Sequence, residues 1–131
     1  MEARPSPYGA VVMEHFRRPR NHGRFEKPDA TREGANPLCG DRVRIDLQVR
    51  DDEITDARFT ANACAISVAA ASLLTERVRG LAVSAVAAIT EDDVCAMLGD
   101  VPSARRACAV LPLTTMRAAL ASLERFDRLL D

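Results

Sequence analysis

With 131 residues the chain has the size of one ordinary domain, spanning 1–131, and needs no disulfide staples to bury a core. Hydrophobic residues make up 47% of it and aromatics 4%, which excludes a disordered chain and points to an aliphatic, alanine-rich interior. A formal net charge of -1 lacks the basic excess of a nucleic-acid binder, and no 18-residue apolar run exists to span a membrane.

In chain order, Ser6 is placed to cap a first helix with Pro7 at its first position, where a missing amide hydrogen costs nothing. Tyr8, Val11, Val12 and Phe16 recur at helical spacing, and Pro19 ends the run. Residues 20–35 are polar, with Gly23, Pro28 and Gly34, and read as a loop. Residues 42–50 alternate: Val43, Ile45, Leu47 and Val49 on one face, Arg42, Arg44, Asp46 and Gln48 on the other. That pattern predicts a half-buried antiparallel strand. Asp51, Asp52 and Glu53 form a polar turn, and 54–60 return with Ala57 and Phe59 inward, so the pair is a hairpin.

From Ala65 the period becomes helical, with Ile66, Ala69, Ala70, Leu73, Leu74 and Val78 as a stripe and Gly80 as the stop. A second helical piece covers 83–88. Thr90 with Asp93 three residues on predicts a capped helix over 94–98. Ser103 is placed to cap a short turn reaching Cys108. Pro112 is expected to start a last helix carrying Leu113, Met116, Leu120, Leu123 and Leu130. Strands grouped ahead of helices give an α+β class: a small antiparallel sheet, of about three strands, packed on one face by several helices.

Four cysteines are present. The first residues lack the apolar core of a signal peptide, so these read as reduced thiols in a cytoplasmic setting. Cys39 lies in the turn Asn36-Pro37-Leu38-Cys39-Gly40-Asp41, where Gly40 permits a sharp bend; in an extended backbone Asp41 projects to the same side as Cys39. Cys64 falls where the returning strand meets the long helix, a position whose unpaired amides favour a thiolate. Cys108 precedes Pro112 at an expected break between helical pieces. All three sit at element ends, where side chains can converge outside the packed core. Cys95, beside Val94, Met97 and Leu98, reads as a buried inert thiol.

The local sequences around these cysteines resemble the NifU/IscU-type iron–sulfur cluster assembly scaffolds. The likeness is carried by Asn36-Pro37-Leu38-Cys39-Gly40-Asp41 before an alternating strand, and by Ile54-Thr55-Asp56-Ala57-Arg58-Phe59 running into Ala63-Cys64-Ala65-Ile66-Ser67. It extends to the small-residue helix Ala69-Ala70-Ala71-Ser72-Leu73-Leu74-Thr75-Glu76, to 8–23, and to Cys108 ahead of the last helix. The resemblance implies that Cys39, Cys64 and Cys108 receive sulfur and iron and hold a transient [2Fe–2S] cluster, with Asp41 as the ligand that weakens retention. It implies a cysteine desulfurase, acceptor apo-proteins or cluster carriers, and a chaperone as partners, and either a monomer or a cluster-dependent dimer.

Two positions depart from that pattern. Ala107 stands where many scaffolds carry a histidine, and Val101-Pro102-Ser103-Ala104-Arg105-Arg106 stands in place of a Leu-Pro-Pro-Val-Lys-type chaperone-recognition stretch. The first departure, with Cys64-Ala65-Ile66-Ser67 and Ala104-Arg105, is similar to the SufU-type branch. That branch uses the three cysteines and the aspartate to bind Zn2+ and to accept persulfide from a desulfurase. Yet only 43 residues separate Cys64 from Cys108, too few for the insertion typical of it. Three thiolates and a carboxylate can close a zinc tetrahedron in either case. In the sulfurtransferase reading Cys108 is the sulfur acceptor, and Arg105, three residues earlier, either steadies its thiolate or faces solvent.

The remaining candidates have plainer readings. His15 and His22 are unconvincing ligands and read as solvated or hydrogen-bonded side chains. Tyr8 anchors the first helix, and the resemblance also gives it a role in contacting the desulfurase. Arg17, Arg18, Arg20 and Arg24 either form a solvated face or dock an acidic partner.

Overall fold

The computed structural model describes residues 8–99 and 101–130, with side chains through Leu123. The expected cap at Ser6 and Pro7 and the side chain of Leu130 lie outside the described residues. The order is α1 (Ala10–Arg17), β1 (Ala30–Asn36), β2 (Asp41–Arg50), β3 (Glu53–Asn62), α2 (Ala65–Val78), α3 (Val83–Ala87), α4 (Glu91–Leu98), a 3-10 turn (Ser103–Arg105) and α5 (Arg106–Leu130). The three strands form one antiparallel sheet in the order β1-β2-β3 with helices against one face, so the α+β expectation holds.

β2 forms because its alternation puts Val43, Ile45 and Leu47 under the helices, all at most 1% exposed. Ile54, Ala57 and Phe59 join them from β3, and α2 and α5 close the layer with Ile66, Leu74, Leu113 and Met116. α2 is more than a helix with one apolar stripe. Ser67, Ser72 and Thr75 are as buried as its alanines, because α1, α4, α5 and β3 surround it. Small side chains permit that close approach, and each buried hydroxyl has a hydrogen-bond partner. The box at Thr90 forms as expected: Asp93 N–H donates to Thr90 Oγ1, and Thr90 N–H donates to Asp93 Oδ2.

Three expectations are corrected. Residues 30–36, read as loop, are the edge strand β1, paired from Ala30↔Leu47 to Asn36↔Asp41. Its sequence lacks apolar alternation because only one edge pairs and much of it is exposed. What it offers α5 is the absence of a side chain, since a Cβ at Gly34 would overlap Thr115 Oγ1.

Asp46, placed with the outward-facing residues, is fully buried. The segment between α1 and β1 crosses that outer face and covers it. Asn21 and Gly23 bond the backbone of Phe59 at the free edge of β3, and Phe25 N–H donates to Asp46 Oδ2 at 3.1 Å. Thr31 Oγ1 and Arg44 Nε donate to Asp46 Oδ1 at 2.6 and 2.9 Å.

Pro112 does not start the last helix but lies inside α5, which begins at Arg106. A proline there deprives the carbonyl four residues back, that of Cys108, of its helical donor. Ser67 Oγ on α2 lies 2.8 Å from that oxygen and supplies the replacement.

Candidate metal centre

Three elements meet where the sheet ends. The β1–β2 turn is built by Leu38 N–H donating to Asn36 Oδ1 and Gly40 N–H to the Asn36 carbonyl, at 3.1 and 2.8 Å. Gly40 sits at φ 76°, a left-handed conformation that a side chain would resist. The turn leaves Leu38 95% exposed and Cys39 on the surface. Asp41 is the first residue of β2, in phase with Val43 and Ile45, so its side chain faces the helices and is only 5% exposed.

Cys64 is the N-cap residue of α2, in extended conformation, as its placement at the strand–helix junction predicts. Its own N–H donates to Asp41 Oδ1 at 3.0 Å. Ser67, one turn into the helix, lies with Oγ 2.9 Å from Asp41 Oδ2. The carboxylate is thus held at both oxygens from the start of α2. Burial works to raise its pKa, but the hydrogen bonds from Ser67 and Cys64 outweigh it, and Asp41 is held below the usual carboxylate value.

Cys108 occupies the first turn of α5 and is 3% exposed. The expectation of a cysteine at a helix break, outside the core, is therefore corrected: the helix continues through it, and its burial follows from α5 packing on α2. Its Sγ lies 3.7 Å from Cys39 Sγ. Ligand atoms of Cys39, Asp41 and Cys108 all fall within 4.8 Å of one another. Cys64 stands beside this group, its Sγ 3.9 Å from Ser67 Oγ, and its thiol interacts with both Asp41 and Cys108. Burial, then the Cys39 thiol, then the charges and hydrogen bonds of Cys64 and Asp41, push the Cys108 thiol up to about 12. A group of acids this close resists multiple ionisation until a cation enters.

The donor set suits such a cation. Two sulfurs on one tetrahedral ion with metal–sulfur bonds of about 2.3 Å stand about 3.8 Å apart, close to the Cys39–Cys108 separation here. Arg105, at the end of the 3-10 turn and exposed, has its pKa raised first by the Cys108 side chain and then by the charges of Tyr8 and Cys64.

The other candidates fall elsewhere. His15 is buried, with Nδ1 2.7 Å from Ser72 Oγ, tying α1 to α2 in the plainer role expected of it; burial, then Arg20, lowers its pKa. His22 stacks edge-on against Phe59 with centroids 5.6 Å apart. Cys95 is only half-buried, contrary to expectation, because α4 is short and Arg106 reaches across to lie 3.6 Å from its sulfur. Arg20 pairs with Glu14, while Arg24 lines an open basic cavity on the outer sheet face. Sequence reasoning missed Ser67 as a site residue. The signal was Pro112, whose missing N–H requires a donor for the Cys108 carbonyl from some other element.

Residues 7–127 match the family described as the NifU-like N terminal domain. The chain is 33% identical over 124 residues to the iron-sulfur cluster assembly scaffold protein IscU 1 of Archaeoglobus fulgidus, covering 95% of this chain and 81% of that one. It is 33% identical over 115 residues to the IscU scaffold protein of Aquifex aeolicus, covering 86% and 73%. It is 34% identical over 117 residues to the nitrogen fixation protein NifU of Azotobacter chroococcum, covering 88% of this chain but 38% of that longer protein. Among solved structures, a putative scaffold protein for the SUF system from Fervidobacterium islandicum superposes with TM-score 0.75 at 27% identity, covering 86% and 96%. The N-terminal NifU-like protein of Brucella abortus shares the fold, with TM-score 0.77 at 21% identity, covering 89% and 94%. With the family model matching residues 7–127 and the similarity to these relatives covering nearly the whole length, the chain belongs to the NifU-like N-terminal domain family.

Proposed function

We propose that this protein is an iron–sulfur cluster assembly scaffold: it collects iron and desulfurase-derived sulfur on Cys39, Cys64, Cys108 and Asp41, and passes the product on. The observation that carries this reading is the convergence of Cys39, Asp41 and Cys108 within 4.8 Å, with Cys64 at the adjoining N-cap, at a mouth where Cys39 is exposed. The cargo is a [2Fe–2S] unit, which thiolates hold. Asp41 supplies the weaker fourth donor, a carboxylate that exchanges more readily than a thiolate, so the cargo can leave. The scaffold names of the relatives support the role.

Sulfur acceptance is assigned to Cys108. Its thiolate attacks the terminal sulfur of a desulfurase persulfide, the S–S bond of that persulfide breaks, and the desulfurase cysteine leaves as thiolate while Cys108 keeps the sulfur. Arg105 offsets the negative charge of the attacking sulfur. Burial disfavours the free thiolate, and a cation held by Cys39, Cys108 and Asp41 would favour it. The partners are then a cysteine desulfurase and acceptor apo-proteins, with a chaperone and a cluster-bridged dimer as further elements of this reading. The compartment is a reducing one, in keeping with four free thiols.

One observation favours a second reading. Three thiols and a buried carboxylate make a closed donor set for Zn2+, which would suit a sulfurtransferase that holds zinc on these residues. Anaerobic reconstitution with iron, cysteine and a desulfurase decides between the two. A chelator-labile [2Fe–2S] spectrum, absent from Cys39→Ala, Cys64→Ala and Cys108→Ala, is the outcome expected of the scaffold. Tightly held zinc, no cluster and faster desulfurase turnover would assign the protein to sulfur transfer.

A further inference from the structure

We propose that Ser67 is the positioning residue that sets how firmly Asp41 grips a metal. The inference rests on the reading of Asp41 as a ligand. Ser67 is fully buried, and its Oγ lies 2.9 Å from Asp41 Oδ2 and 2.8 Å from the Cys108 carbonyl. A hydroxyl has one hydrogen to give, so these two acceptors compete for it. The second acceptor exists because Pro112 has no N–H to offer that carbonyl. One side chain on α2 therefore ties the first residue of β2 to the first turn of α5, and it touches the carboxylate at its ligand atoms.

The chemistry follows from what holds Asp41. With Cys64 N–H on Oδ1 and Ser67 on Oδ2, the carboxylate cannot swing, and its remaining lone pairs stay beside the Cys39 and Cys108 sulfurs. Removing the hydroxyl takes from Oδ2 its hydroxyl partner, and the carboxylate can then turn about the Cys64 amide. Outer partners of this kind change metal affinity by roughly tenfold to a hundredfold. The competing carbonyl keeps the hydroxyl from committing its proton wholly to Asp41, which leaves the carboxylate basic enough to bind.

The test is anaerobic titration with Co2+ alone, whose thiolate charge-transfer bands report sulfur ligation and whose visible envelope reports the fourth donor. The proteins are the unaltered chain, Ser67→Ala, Asp41→Ala and the double variant, each with and without Pro112→Ala. Pro112→Ala returns an amide donor to the Cys108 carbonyl, so it also keeps the comparison available if Ser67→Ala alone does not fold. The expected result is a tenfold to hundredfold weaker Co2+ affinity in Ser67→Ala, roughly the range of such partners. That loss persists beside Pro112→Ala and disappears in the Asp41→Ala background. A loss of equal size without Asp41, or one abolished by Pro112→Ala, means that Ser67 acts only through packing or the carbonyl and overturns the proposal. Thiolate bands with no effect of Ser67→Ala overturn it too, leaving the site reading intact. Absence of thiolate bands in the unaltered chain overturns the site reading and this proposal with it.

Discussion

The sulfurs of Cys39 and Cys108 stand 3.7 Å apart although the two residues are 69 positions apart in the chain. That separation exceeds a disulfide, about 2.05 Å, by an amount that side-chain rotation can close when the turn is free to adjust. The metal-free protein is therefore expected to form a Cys39–Cys108 bridge when treated with diamide, with Cys39 the reachable partner at the surface. Zn2+ added first should suppress it, since both sulfurs are then engaged. Peptide mapping without reduction reads the outcome. A dominant bridge through Cys95 instead would contradict the geometry.

Asp41 is the one oxygen donor in the group, and its replacement separates assembly from release. Asp41→Ala removes the exchangeable ligand but leaves the three thiols, so a cluster once formed is expected to survive chelator several-fold longer than in the unaltered protein. The rate of bleaching at visible wavelengths after addition of a chelator measures this. A shorter lifetime would mean that the carboxylate retains the cluster.

The parts of the site legible in sequence were those with local signatures. A glycine after Cys39 announces a tight turn, and the change of period at Cys64 announces a helix N-terminus; both appear where expected. The burial of Cys108 and Asp46 was not legible, because it depends on what folds over them. Asp46 follows strict alternation onto the outer face, and only the crossing of the 23–29 segment buries it. Pro112 misled for a related reason: a proline reads as a helix start unless another element supplies the lost hydrogen bond, and here that element is 41 residues away from Cys108. The edge strand β1 escaped notice because its apolar contribution to α5 is a glycine.

That glycine gives a sharp packing prediction. At Gly34 an added Cβ would overlap Thr115 Oγ1 and press on its Cβ and Cγ2, at 3.1 and 3.3 Å. Thr115 is 3% exposed and its hydroxyl donates to the Leu111 carbonyl at 2.8 Å, so it cannot rotate away freely. Gly34→Ala is expected to destabilise the fold by about 2 kcal/mol, as overpacking of a dense interface does. Gly34→Ala combined with Thr115→Ala should recover most of that loss. Urea midpoints of the two variants check it, and equal midpoints for the single and double variants would place the strain elsewhere.

Asp46 carries the prediction for pH. Burial alone works to raise its pKa, but hydrogen bonds from Arg44, Thr31 and the Phe25 amide overcome this, and the folded value lies below the ordinary 3.8. The folded state therefore binds that proton less readily than the unfolded chain does. Its contribution to stability is complete above the unfolded value and is lost as pH falls through the folded one, so the loss is confined to pH below about 4. Asp46→Asn removes the charge and leaves Arg44 without its carboxylate, costing about 2–3 kcal/mol at neutral pH. The melting temperature of the unaltered protein should fall steeply in that acid range, and that of Asp46→Asn should fall less, so the two curves converge as pH drops. Parallel curves would show that Asp46 does not govern the acid limb.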